Sequence, residues 1–194
     1  MAAYERFVHS DAASFAAELA EVDRLAALLT EHVAASEAID RAHQYGAQSR
    51  AIQAEVATLL VTVLGFAQEV VVPPSTGFVT LARPDFYYPL SPGRGVLAEV
   101  ERGGTTNNNH DLKDVWKAHI SPDAQHLFLV VPVANWNAAD GVRERPFARV
   151  IRRMGSFFGE PRREVDILSA HVFGYGRSDT PWRIPPGLES PAQF

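Results

Sequence analysis

Residues 83–120 read RPDFYYPLSPGRGVLAEVERGGTTNNNHDLKDVWKAHI, and the reading of the fold turns on three carboxylates inside it. Pro84 fixes its own φ and pushes Arg83 away from helix, so Asp85 opens an extended run. Gly93-Arg94-Gly95 turns the chain, and Gly95 to Arg102 (GVLAEVER) alternates as a strand. A period of two places Leu97, Glu99 and Glu101 on one face and Val96, Ala98 and Val100 on the other. Two carboxylates on one face of an apolar strand repel each other and are costly to bury unless a cation lies between them. Beyond them, Gly103 to Asn109 reads as a polar loop whose asparagines suit a helix cap. The helix that follows has Leu112, Val115, Trp116, His119 and Ile120 as its predicted buried stripe. It carries the only two lysines of the chain, Lys113 and Lys117, one turn apart on one face.

Upstream, residues 10–35 are rich in alanine and free of Pro and Gly. Phe15, Leu19, Val22, Leu25, Leu28, Leu29 and Val33 recur there at helical spacing. This acidic amphipathic helix suits packing on the body or pairing with a second copy. A second helix is expected from Ser36 or Ala42 to Leu64, with Ile52, Val56, Leu59, Leu60 and Val63 buried and Gly65 at its end. Glu55 lies at the edge of that stripe, where it fits either a solvated flank or a functional acid. Short strands are expected at Glu69 to Val72 and at Phe78 to Leu81. Downstream, HLFLVVPV (126–133) is a continuous apolar run, typical of a central strand covered on both faces. A helix around Phe147 to Phe158 and a strand around Val165 to Phe173 follow. From Gly174 the sequence turns to Gly and Pro and reads as a surface tail.

Composition narrows the function classes. The 194 residues, 46% hydrophobic and 21% charged, suffice for one sizeable core. With no cysteine, disulfides, thiolate metal sites and cysteine nucleophiles are excluded. No basic region precedes a greasy run at the N-terminus, and the longest apolar run, around Val56 to Phe66, falls short of the ~20 residues of a membrane span. A soluble cytoplasmic protein with no membrane contact is expected. The net charge of −5 is unevenly spread: residues 1–69 hold four arginines against ten acids, whereas residues 70–194 hold fourteen cations against thirteen. Local potential decides phosphate attraction, so the global sign does not exclude DNA. Arg94, Arg102 and the loop from Thr105 through Asn107 and Asn108 to His110 stand next to the acids in sequence, with donors suited to phosphate. The loop residues fit turn and cap chemistry equally well. The seven histidines show no paired metal-ligand spacing.

Helix, three strands, helix, strand, with Pro-Asp (84–85) and Glu-x-Glu (99–101) on the second and third strands, resembles the PD-(D/E)xK nuclease superfamily. The resemblance covers Ala42 to Val133, or to Phe173 with the last helix and strand. It implies an α/β fold: a restriction endonuclease-like αβββαβ core with a mixed central sheet over 41–174, an N-terminal helical arm over 1–40 and a tail over 175–194. By position it implies that Asp85 and Glu99 bind metal, joined by Glu55 from the first helix. Glu101 falls where the family usually has lysine. Some members carry Glu there, and others move the lysine to the following helix, which points to Lys117 ahead of Lys113.

Carboxylate ligands select Mg²⁺ or Mn²⁺ over zinc. The implied activity is metal-dependent endonucleolytic hydrolysis of DNA, in restriction, defence or repair, with a homodimer possible through the N-terminal helices. The alternative is a nuclease-fold domain that has lost catalysis and serves as a nucleic-acid-binding or regulatory module. A glycosidase-type carboxylate pair fits poorly, because such sites sit in larger clefts lined by aromatics.

Overall fold

Residues alternate from Arg94 to Val100 because this segment, strand β4, lies inside a six-stranded mixed sheet. The computed structural model describes residues 3–46, 48–69, 83–158 and 165–177. In chain order come β1 (Ala3–Val8), a 3-10 turn (Ser10–Phe15), α1 (Ala16–Ala35), α2 (Glu37–Ala42) and α3 (Ser49–Leu60). Next are β2 (Ala67–Gln68), β3 (Phe86–Ser91), β4, α4 (His110–Ile120) and β5 (His126–Pro132). A small ribbon, β6 (Asn135–Trp136) with β7 (Val142–Glu144), precedes α5 (Pro146–Phe158) and β8 (Ser169–Tyr175). The sheet order is β1-β8-β5-β4-β3-β2. Strands β2, β3 and β4 form an antiparallel meander, β4, β5 and β8 run parallel, and β1 closes the far edge antiparallel to β8.

The sheet is covered on both sides, which explains why all seven residues of β5 are buried. Val96, Ala98 and Val100 of β4 face one core with Phe128 and Val130 of β5, against α1 and α3 through Val22, Leu25, Leu29, Ile52, Val56 and Leu60. Leu97 of β4 and Leu127, Leu129 and Val131 of β5 face the other core, against Val115 and Ala118 of α4 and Phe147, Val150, Ile151 and Met154 of α5. Glu99 shares its parity with Leu97 and so belongs to the side that α4 covers.

Two expectations about the chain ends are corrected. The N-terminal segment is not an arm: Ala3–Val8 is a strand of the sheet, and the apolar face of α1 is consumed in the first core. That face is therefore not available for pairing with a second copy. Nor does the body end at Gly174. β8 runs on to Tyr175, and Gly174 is a glycine because a Cβ there would stand 2.6 Å from the Ala3 Cβ and 2.8 Å from Val133. The strands expected at 69–72 and 78–81 lie almost wholly outside the described residues, apart from Glu69, whose N–H donates to the Asp85 carbonyl at 2.9 Å.

A buried polar chain ties α1 and β1 to the sheet. The Tyr4 hydroxyl meets His171 Nδ1 at 2.8 Å, His171 Nε2 meets Ser169 Oγ at 3.0 Å, Ser169 Oγ meets His126 Nδ1 at 2.7 Å, and His126 Nε2 meets Glu18 Oε1 at 2.7 Å. Tyr4 donating at one end and ionised Glu18 accepting at the other leave one consistent set of tautomers, with both imidazoles neutral. Arg94 closes the network by pairing with Glu18 while stacking on Phe15 at 4.1 Å. Among the described residues no helix is long and apolar enough to cross a membrane.

Candidate functional site

The register of β3 on β4 decides which acids meet. Phe86 pairs with Ala98, so Asp85, one residue earlier, stands across from Glu99 on the same face. The contacts agree: the Asp85 N–H donates to Glu99 Oε2 at 3.3 Å, and the Val100 N–H donates to Asp85 Oδ2 at 2.9 Å. From α4 the Lys117 ammonium reaches down to Glu99 Oε1 and lies 3.4 Å from Asp114 Oδ1. One lysine thus stands between two carboxylates whose side chains are 4% and 6% exposed. Glu101, just beyond the strand, accepts from His110 Nδ1 at 2.9 Å.

This cluster holds more acid than base. Burial pushes the Glu99 carboxyl up to about 7, with neighbouring Asp85 adding to the effect and Lys117 opposing it. Burial likewise raises Asp114 well above the usual carboxylate range, helped by Glu99. Burial raises Asp85, partly offset by the Val100 N–H, Lys117 and the Gln53 side chain from α3, and burial also raises Glu101. For Lys117 burial works against the charge, yet Glu99 and Asp114 outweigh it and hold its pKa above the usual value. Asp114 Oδ2 is buried without a hydrogen-bond partner among the described residues.

The structure brings together Asp85, Glu99, Lys117 and, at the margin, Glu101. Other candidates fall elsewhere. Glu55 is half-buried on α3, where its carbonyl receives His32 at 3.1 Å, while Gln53 is the α3 residue beside Asp85. Lys113 is exposed. Arg94 begins β4, five residues and roughly 17 Å from Glu99, and is committed to Glu18. Arg102 follows β4 and donates to the Gln44 carbonyl. Thr105 is buried with its hydroxyl on the Arg102 carbonyl at 3.0 Å, a structural bond. Asn107 is exposed and donates to Glu144 at 2.9 Å, and Asn108 is exposed.

Reading the sequence missed Asp114, Asp111 and Gln53. The buried face of α4 is Asp111, Asp114, Val115 and Ala118, an i, i+3, i+4, i+7 stripe interrupted by two acids, whereas the predicted member Trp116 is 62% exposed. Apolar periodicity could not reveal a buried face that is interrupted by two acids. Asp111 is held by Arg153 of α5 at 2.7 and 3.0 Å, and the same guanidinium donates to the Thr106 carbonyl at 3.3 Å. These bonds pin the 103–109 loop. His119 is half-buried, and its Nδ1 accepts the Asp166 N–H at 2.9 Å. No family model, curated protein or solved structure matches the chain.

Proposed function

We propose that the chain is a metal-dependent endonuclease that hydrolyses phosphodiester bonds in DNA. One observation carries the reading: Asp85 ahead of β3, Glu99 on β4 and Lys117 on α4 meet on one face of the sheet. A restriction endonuclease-like core, as the resemblance implies, would place its acids and a helix-borne lysine in this way.

The donor set fits a hard divalent cation. It consists of the carboxylate oxygens of Asp85 and Glu99, in a cluster where acid exceeds base. Among the described residues no three His, Asp or Glu side chains are gathered closely enough to hold a metal ion, and Lys117 stands between Glu99 and Asp114. Asp85 and Glu99 would hold Mg²⁺ or Mn²⁺ once the ammonium moves aside. When bound, the ion supplies Lewis-acid polarisation of the phosphate and a more acidic water. Lys117, released from Glu99, would keep its proton at Nζ and orient the attacking water or a phosphate oxygen, tethered by Asp114. The Glu101–His110 pair would take up the proton that the water loses.

The second reading, a nuclease-fold domain without catalysis, is favoured by the same bonds, since both Glu99 oxygens and Asp85 Oδ2 already have partners within the chain. Incubating the full chain with supercoiled plasmid, linear duplex and single strands in Mg²⁺ or Mn²⁺, against EDTA, separates the two. Ion-dependent cleavage supports the nuclease. A Mn²⁺-induced rise in Tm without cleavage supports the second reading, and the absence of both effects removes the metal site. Lys113→Ala, at an exposed position, is expected to keep cleavage within about twofold of the parent. A large loss would move the lysine role from Lys117 to Lys113.

A further inference from the structure

Beside the acid cluster, where β4, β5 and β8 end, lies a cavity of about 260 Å³ lined by His43, Tyr45, Arg102, Asn135, Trp136 and Arg143 among others. Arg102 follows β4 by two residues, Asn135 follows β5 by three, and His43 packs edge-on against Tyr175 at the end of β8 with ring centroids 5.0 Å apart. The carboxyl ends of parallel strands are where open α/β sheets bind ligands. The wall is continuous with the candidate site: Arg102 adjoins Glu101, and the Tyr175 hydroxyl donates to the Glu101 carbonyl at 2.8 Å.

The chemistry of the lining is specific. Arg102 and Arg143 offer guanidinium donors suited to a phosphate. Glu144, the acid nearest Arg143 at 3.1 Å, is also engaged by Asn135 at 2.8 Å and Asn107 at 2.9 Å. Arg177 is stacked on Trp136 at 4.1 Å and paired with Asp140. Tyr45 presents its ring at the rim, 62% exposed, where a base could stack on it.

Two buried ring nitrogens of the lining lack partners among the described residues: Trp136 Nε1, which can only donate, and His43 Nδ1. His43 Nε2 donates to the Ala134 carbonyl at 2.7 Å, and burial holds the imidazole pKa below its usual value, so Nδ1 is an acceptor. Both nitrogens are closed off from solvent, so what the cavity presents to a ligand is its two guanidinium groups and the Tyr45 ring.

We infer that this cavity binds one nucleotide of the nucleic-acid strand, its base stacked on Tyr45 and its phosphate on Arg102 and Arg143. Its volume, at the lower edge of the range for ligand pockets, suits one nucleotide and not two. The inference deepens the nuclease reading by supplying a subsite that grips the strand beside the bond to be cut, and it rests on that reading for its role.

Calorimetric titration of the full chain in EDTA with dCMP, CMP, dAMP, dTMP, deoxyribose 5-phosphate and inorganic phosphate tests it, the CMP arm separating RNA from DNA. The nucleotides are expected to bind at least about tenfold more tightly than deoxyribose 5-phosphate, whatever the base. Tyr45→Ala and Arg143→Ala, both at exposed side chains that leave the fold intact, should each weaken binding about tenfold. The subsite is overturned if no nucleotide binds better than inorganic phosphate up to millimolar concentration, or if both variants bind as the parent does. Because the titration needs no metal, cleavage without nucleotide binding removes the subsite and leaves the nuclease. Binding without cleavage in any divalent cation does the reverse.

Discussion

Lys117→Met is expected to lower the unfolding free energy by about 3 kcal/mol at pH 8 and to reduce cleavage on the order of a hundredfold or more. The double variant Lys117→Met with Glu99→Gln should regain most of that stability and none of the cleavage. Among the described residues Lys117 is the cation that pairs with both Glu99 and Asp114. Without it, two buried carboxylates face each other with nothing to balance them, and removing one partner of a buried pair costs far more than the pair itself contributes. The Lys117 side chain is 26% exposed, so water reaches the gap and the loss sits at the lower end of the range for buried pairs. Methionine keeps the stem and isolates the charge. Glu99→Gln alone leaves Lys117 on Asp114 and removes a carboxylate whose ionised form burial disfavours, so at pH 8 it should raise stability while abolishing ion-dependent cleavage. Urea unfolding with plasmid cleavage on the four proteins closes the cycle, in which the two substitutions should be strongly non-additive in stability. Full stability in Lys117→Met would refute the pairing, and retained cleavage would refute the role of the lysine.

How much of this was legible in the sequence depends on the range of the forces involved. β4 and β5 declare themselves because alternation and a doubly buried apolar run are local patterns. The pairing of Asp85 with Glu99 followed from two adjacent strands joined by a tight turn, where register is set locally. Lys117 over Lys113 was reachable, since the following helix is also local. Gln53 and the pocket at Tyr45 were not, because each acquires its meaning from residues of other elements, and Asp114 was not because an acid on a helix reads as solvated until the strand that buries it is seen. β1 was hidden for a similar reason. AYERFV (3–8) is an edge strand with half-polar faces, and only its pairing with β8, some 165 residues away, makes it a strand. The polar chain from Tyr4 to Glu18 is equally non-local, and none of its residues carries a motif.

That chain and the acid cluster pull stability in opposite directions as pH changes, and Glu99→Gln should separate them. Burial lowers His171 from the ordinary 6.5 to about 3. Below pH 6.5 the unfolded chain takes a proton that the folded one refuses, so stability falls with acidification across the window from 6.5 to 3. Between pH 7 and pH 4 this single group costs about 3 kcal/mol. His126 is lowered by burial as well, and Glu18, though burial pushes it up, is held below the usual carboxylate range by Arg94 and His126, so both add to acid lability. Glu99 has the opposite sign. Its folded pKa is raised from 4.5 to about 7, so its contribution is fully present below 4.5 and is lost as pH rises through 7. Over the same interval it offsets about 3 kcal/mol. Asp85, Asp114 and Glu101, also raised by burial, share the sign of Glu99. The parent protein should therefore show a shallower pH profile between 4 and 7 than Glu99→Gln, which lacks the offset of about 3 kcal/mol from that one acid. Urea midpoints at several pH values across this range measure both slopes. Equal slopes in the two proteins would mean that Glu99 titrates as an ordinary carboxylate. If the chain binds Mg²⁺ as proposed, the same linkage should make stabilisation by the ion stronger as pH rises toward 7, because a cation at Glu99 must first displace its proton.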